Sequence, residues 1–288
     1  MTLVTLTQEK LKDIKLNHSK GTYRFYKSHL EHFLTWCSEN HYSTTDEFND
    51  DALIDYVNYQ KQTASAATIN KRIGILKRTY QFSKISFPFL ENMKKFKERY
   101  RTYSAIDFET YSKIRNYVFN YPVLNKNHLM HKALLALLVD SGARIDELLN
   151  IKIDNINLNT YEIVLTKTKM NIDRIIYFTE KTAEILSELI KHNTHSHFLL
   201  YNFDKNRVAV YEDARYLMKK LKNTFNIKKL HTHMFRHTIA TLMVEKGADL
   251  FSIMKILGHV NVKTTQRYTH VSNGHVKKNY KEIMEKLE

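Results

Sequence analysis

Ile256-Leu257-Gly258-His259-Val260-Asn261-Val262-Lys263-Thr264-Thr265-Gln266-Arg267-Tyr268-Thr269-His270 is the stretch from which the rest of the chain is best read. Behind Asp249, a good N-cap, Leu250, Ile253, Met254 and Leu257 recur at helical spacing as a buried face, and Gly258 stops the helix. His259 follows the glycine directly, and Tyr268 lies nine residues further on, in a short helix expected over Thr264 to Tyr268. A last helix is expected from about Asn273, with Tyr280, Ile283, Met284 and Leu287 on one stripe, suited to dock on its own domain or on a neighbour.

Upstream, His233 and Arg236 stand as H-x-x-R and project from one side of a helical turn. Further upstream, Arg144 follows Gly142 at the end of an apolar run, Ala133 to Val139, which reads as a helix buried all round. Singly these are ordinary residues: an arginine is usually a surface charge and a tyrosine usually packs. As an ordered set they supply what attack on a phosphodiester needs. Two guanidiniums each fork onto phosphate oxygens and stay charged. An imidazole accepts a proton near neutral pH. A phenol serves as a nucleophile whose phosphotyrosyl link stores the bond energy without metal or ATP. A lysine with a lowered pKa can protonate the leaving oxygen.

Composition agrees with a helical, polyanion-binding protein. The chain has 288 residues, 43% of them hydrophobic, with only 6 Gly and 2 Pro, which favours two mainly helical domains. The net charge of +15 suits nucleic acid. A single cysteine, Cys37, excludes an intrachain disulfide and a cysteine metal site and fits a reducing compartment. The first ten residues do not read as a signal peptide and no run is long enough to span a membrane, so a cytoplasmic, membrane-free protein is expected.

Residues 1–98 are expected to form an all-helical domain ending in a basic linker, Lys94 to Arg101, and residues 99–288 the second domain. In the first, Tyr23, Tyr26, Leu30, Phe33, Leu34 and Cys37 form one stripe. Leu53, Tyr56, Val57 and Gln60 form another after Asp50, and Ile69, Ile73, Leu76 and Tyr80 a third behind Ser65. That third helix turns Lys71, Arg72, Lys77 and Arg78 away from its stripe, as a solvated face or as a DNA-binding set. Pro88 breaks the pattern. In the second domain a helix capped by Asp107 or Ser104 is expected through Tyr117. Strands follow at Tyr161 to Thr166 and Arg174 to Phe178, joined by a turn over Lys167 to Asp173, and helices resume at Thr182 to His192 and Tyr211 to Phe225.

The stretches Ser141 to Leu149, His233 to Thr241 and Ile256 to His270 resemble the tyrosine recombinase family, also called phage integrases, and the N-terminal part looks like that family's core-binding domain. The resemblance implies a mainly α fold, with a small antiparallel sheet in the catalytic domain. It implies a site-specific DNA recombinase or integrase that cuts and rejoins through a 3′-phosphotyrosine. Arg144 matches the first catalytic arginine, His233 and Arg236 the H-x-x-R pair, His259 the His/Trp position and Tyr268 the nucleophile. Glu147 matches an acidic position that supports the arginine. The catalytic lysine, carried by a β-hairpin, is Lys167 or, counting back from Arg174, Lys169. The family's Gly-Leu-Arg reads Gly142-Ala143-Arg144, and the hairpin's common glycine is missing.

No cofactor is expected. His233 and His237 have zinc-helix spacing, but Met234 stands where H-E-x-x-H has its glutamate, and the cluster His192, His195 and His197 reads as an exposed loop. The implied partners are double-stranded DNA with a specific recombination site and a homotetramer on that DNA; accessory proteins stay open. The alternatives are a catalytically silent DNA-binding regulator on the same scaffold and a type IB topoisomerase-like strand relaxer.

Overall fold

The computed structural model describes residues 1–98, 105–166 and 173–258, and its chain divides into two compact units, Met1–Arg101 and Thr102–Glu288.

The first unit contains α1 (Leu3–Asn17), α2 (Lys20–Glu39), α3 (Asp50–Thr63), α4 (Ala66–Phe82) and the short α5 (Pro88–Asn92). Thr2, Ser19, Asn49 and Ser65 cap the first four, each side-chain oxygen accepting an N–H of the first turn. The stripes converge on an aromatic centre. Phe33 meets Phe48 at 4.9 Å and Tyr56 at 5.4 Å, both edge to face, and Trp36 meets Tyr56 at 5.1 Å. Such pairs add about 1 kcal/mol each beyond area burial. All four residues of the second stripe and all four of the third are buried. On α2, Tyr23 and Leu34 are only partly covered, and Trp36 takes a buried place that the stripe omitted.

Helix α1 was not part of the sequence expectation. Its Leu3, Leu6 and Ile14 are buried, and it packs on α2 and α4. Pro88 does not merely interrupt; it opens α5 at the position where a missing N–H costs nothing. The described part of the expected linker is held to α4. Asn70 on α4 donates to the Phe96 carbonyl and accepts from the Phe96 amide, both at 2.9 Å, and also donates to Glu98 at 2.9 Å. Residues through Glu98 therefore belong to the first unit's packing rather than to a free tether.

The second unit is built around α7 (Lys126–Ser141), which is buried on every side over Ala133 to Val139 and packs on α6 (Phe108–Phe119) and on later helices. Asp107 caps α6. After α7 come α8 (Ile145–Leu149), β1 (Ile156–Asn157), β2 (Glu162–Leu165) and β3 (Arg174–Tyr177). The three strands form an antiparallel sheet in sequence order, with Ile163 opposite Ile176 and Leu165 opposite Arg174. Ile163, Leu165 and Ile176 enter the core, while Val164 and Ile175 face outward. Then follow α9 (Glu180–His192), a two-stranded hairpin of β4 (Tyr201–Asn202) and β5 (Arg207–Val208), α10 (Tyr211–Thr224), α11 (Thr232–Glu245) and α12 (Leu250–Leu257). Helix α12 packs on α11 and β3. It buries Ile253 and Leu257 and leaves Leu250 and Met254 half-buried, because a helix of two turns presents only a narrow stripe.

Candidate active site

Helix α7 ends at Gly142, whose φ of +58° is the left-handed C-cap conformation. A Cβ here would sit 3.1 Å from Ile239 Cδ1 and 3.5 Å from Arg236 Cα, so the glycine also lets α7 end directly against α11. Two residues on, Arg144 stands at the N-cap of α8. Its backbone N–H donates to Glu147 Oε2 at 2.7 Å, and its Nη1 donates to Glu147 Oε1 at 3.0 Å. The Glu147 side chain is 4% exposed and that of Arg144 29%, so the carboxylate is sealed while the guanidinium reaches solvent.

Arg236, on α11, is buried and donates from Nη1 to the Gly142 carbonyl at 3.1 Å. A third guanidinium, Arg174 at the start of β3, donates from Nη2 to Glu147 Oε2 at 2.6 Å. The three arginines then share one target. Arg174 donates to the carbonyl of Ile256, Arg236 to that of Leu257, and Arg144 to that of Gly258 at 3.2 Å. These are terminal carbonyls of α12, which have no partner within the helix and carry the negative end of its dipole.

Burial alone would push the Glu147 carboxyl up. The Arg174 hydrogen bond and charge, with the Arg144 amide and guanidinium, outweigh that and hold its pKa below the ordinary glutamate value. His233, in the first turn of α11, is exposed as a residue, yet the protein around its imidazole disfavours the cation. The positive charges of Arg236, His231 and Arg144 add to this, and its pKa lies below the usual histidine value. The neutral imidazole, able to accept a proton, is therefore favoured.

The structure thus brings Arg144, Arg236 and Glu147 together, with His233 close enough to feel both guanidiniums. Lys167, Lys169, His259 and Tyr268 lie outside the described residues, as do the short helix and the terminal helix expected after Gly258. Arg174 was missed as a site residue. Its signal was faint: a lone cation opening the apolar run Ile175 to Phe178. Among the described residues no three His, Cys, Asp or Glu side chains are grouped to hold a metal ion. His192 pairs with Glu188 at 3.0 Å, and His195 stacks on Tyr201.

The four cations of α4 divide. Lys71 and Arg78 are exposed, although Arg78 Nε also donates to the Tyr26 hydroxyl at 2.7 Å. Arg72 is half-buried against the Gln60 amide oxygen. Lys77 donates to the carbonyls of Glu91 and Met93, at 2.9 and 2.8 Å, and so ties down the segment after α5.

A helical catalytic unit with clustered arginines behind a small antiparallel sheet, preceded by a helical N-terminal unit, has clear relatives. Residues 105–275 match the phage integrase family, and residues 11–85 match the phage integrase N-terminal SAM-like domain. A probable integrase/recombinase of Acholeplasma phage L2 is 30% identical over 234 residues, covering 80% of this chain and 78% of the relative. The tyrosine recombinase XerC of Staphylococcus epidermidis is 29% identical over 283 residues, covering 93% and 92%. Among solved structures, the XerH site-specific recombinase bound to difH substrate superposes with a TM-score of 0.75 at 20% identity, covering 95% of this chain and 83% of that one. The Tn1549 transposon integrase in complex with circular intermediate DNA gives 0.75 at 15% identity, covering 98% and 100%. These two share the fold.

The chain belongs to the phage integrase family. Within it, the protein is a tyrosine-type site-specific recombinase, an enzyme of DNA strand transfer. Among the described residues no helix is long and apolar enough to cross a membrane.

Proposed function

We propose that Tyr268 is the nucleophile. Its hydroxyl oxygen attacks the scissile phosphorus, its proton passes to His233, and the bond to the 5′-oxygen breaks as Lys167 or Lys169 protonates that oxygen. The product is a 3′-phosphotyrosine and a free 5′-hydroxyl. A 5′-hydroxyl from a partner strand then reverses the chemistry at the same phosphorus, so each transfer conserves the number of phosphodiester bonds. Arg144 and Arg236 bind the non-bridging oxygens and stabilise the charge of the pentacoordinate state. His259 adds a donor.

The observation that carries this reading is the pair Arg144 and Arg236, both drawn to the end of α12 at the residues immediately before His259. The substrate is double-stranded DNA with a specific recombination site, worked on by a homotetramer in the cytoplasm and associated with the nucleoid when bound. Residues 1–98 act as the core-binding domain and residues 99–288 as the catalytic domain. Of the four α4 cations the exposed Lys71 and Arg78 face the duplex, while Arg72 and Lys77 are taken up by Gln60 and by the carbonyls of Glu91 and Met93.

The test is covalent trapping on nicked duplexes carrying candidate repeats from beside the coding region. Wild type should yield a protein–DNA adduct, and Tyr268→Phe should bind the same DNA without one. A persisting adduct refutes the nucleophile. Replacing the leaving 5′-oxygen by sulfur should rescue Lys167→Ala or Lys169→Ala, whichever removes the acid. Supercoil relaxation without recombinants would favour the topoisomerase-like alternative, and binding without any adduct the silent regulator.

A further inference from the structure

We infer that Arg174 is a positioning residue for strand transfer, holding Glu147 against Arg144 and clamping the end of α12. This rests on Arg144 being a phosphate-binding arginine.

The Arg174 side chain is 7% exposed, so its charge is spent inside the protein and not offered to solvent. Its two terminal nitrogens point to different elements, one to Glu147 on α8 and one to the Ile256 carbonyl on α12. Glu147 in turn accepts three hydrogen bonds. One oxygen takes Arg144 Nη1, and the other takes both the Arg144 amide and Arg174. Without Arg174, the buried carboxylate keeps a single guanidinium partner. Its orientation is then fixed by the residue it is meant to orient.

The glycine of Leu257-Gly258-His259 gives an independent sign. A Cβ on Gly258 would lie 2.6 Å from Arg174 Cδ and 2.7 Å from Arg174 Nε. The space a side chain would use is occupied by the arginine's stem. Gly258 thus does more than end α12 in a left-handed turn: it admits Arg174 to the residue preceding His259. Arg174 also opens β3, which pairs with β2, and Lys167 and Lys169 lie between those strands in the sequence. One planar fork therefore connects the hairpin, the support of Arg144 and the entry to His259. A lysine donates from one atom and lacks the two separated, planar nitrogens that reach α8 and α12 here. The arrangement is kept although Arg174 Nε is buried without a hydrogen-bond partner among the described residues.

The experiment measures single-turnover adduct formation on the nicked duplex across DNA concentration and pH, for wild type, Arg174→Gln, Arg174→Lys, Glu147→Gln and the Arg174→Gln/Glu147→Gln double variant. At saturating DNA, Arg174→Gln should slow the adduct step by about 100-fold, the scale of a misplaced catalytic group. The half-saturating DNA concentration should stay unchanged. Arg174→Lys should recover part of the rate. The acid limb of the profile should shift to higher pH in Arg174→Gln, because Glu147 loses the partner that does most to lower its pKa, and the second substitution should remove that shift without further loss of rate.

Equal multiplicative losses in the double variant with an unaltered acid limb would overturn the inference, as would a wild-type rate in Arg174→Gln. If Arg174→Gln does not fold, the same comparison is made with Arg174→Lys. Loss of the adduct in wild type removes both this inference and the reading beneath it. A wild-type adduct with an indifferent Arg174 removes the inference alone.

Discussion

The buried guanidinium of Arg236 donates to the backbone carbonyl of Gly142 at 3.1 Å, across 94 positions of sequence. That carbonyl is accessible because α7 ends in a left-handed glycine, and the same hydrogen bond turns the other face of the arginine towards α12. The end of one helix thus sets the aim of an arginine on another.

Gly142→Ala should therefore damage both stability and reactivity. The residue must hold φ of +58° and its new methyl would press on Ile239 at 3.1 Å. The conformational cost is about 1–2 kcal/mol, read as a lower midpoint in denaturant. Adduct formation should fall further than the folded fraction explains, because Arg236 loses its seat. A stable variant with normal adduct rate would show that the Gly142 carbonyl does not aim Arg236.

His233 should control the acid side of the reaction. Its folded pKa is lowered, by desolvation first and then by neighbouring cations, so the neutral base persists to a lower pH than free histidine allows. The adduct rate should stay flat as pH falls from 8 and decline only below the ordinary histidine range. His233→Gln should be slow at every pH and lack that limb. The same sign applies to stability. The unfolded chain takes up the proton first, so His233 makes acid destabilising through that window. A decline beginning above the ordinary range would contradict the geometry.

Much of this was legible in the residues, and the exceptions have physical reasons. Helix α4 followed from its cap and stripe, because Ser65 bonds within its own first turn, and α3 from its stripe after Asp50, although its cap Asn49 was not read. Helix α1 did not, since exposed Val4 and Leu16 blur its stripe of Leu3, Leu6 and Ile14. Two-residue strands such as β4 and β5 have no periodicity to detect. The order Arg144, His233, Arg236 could be read from types and spacing. That three guanidiniums take successive carbonyls of α12 could not, because backbone acceptors have no sequence signature.

The cations of α4 should separate by salt dependence. Lys71 is exposed, so under the proposed DNA contact Lys71→Ala should reduce the slope of log affinity against log salt by about 1. Lys77→Ala loses two carbonyl contacts at Glu91 and Met93. It should cost about 1–2 kcal/mol in the first unit. Amide exchange after α5 should quicken in Lys77→Ala and stay at the wild-type rate in Lys71→Ala. Matching behaviour of the two variants would remove the distinction.

Helix α9 was expected from Thr182 but starts at Glu180, and the cause lies on another helix. Asp140, at the end of α7, accepts from the Thr179 amide at 3.0 Å and from the Thr179 and Thr182 hydroxyls at 2.6 Å each. Its second oxygen takes Arg115 from α6 at 2.8 Å, and its side chain is 2% exposed. A remote carboxylate thus fixes the residues that open α9, whose N-cap Thr179 makes no side-chain cap hydrogen bond of its own. Asp140→Ala would leave the Thr179 amide and two hydroxyls short of an acceptor and Arg115 without its counter-ion. The expected loss is about 3 kcal/mol in the second unit. Asp140→Asn should recover part of it, since one amide oxygen can still accept from the α9 turn while the charge is gone. Thermal unfolding of the two variants checks this order, and equal losses would mean that the charge on Asp140, rather than its acceptor geometry, holds α6, α7 and α9 together.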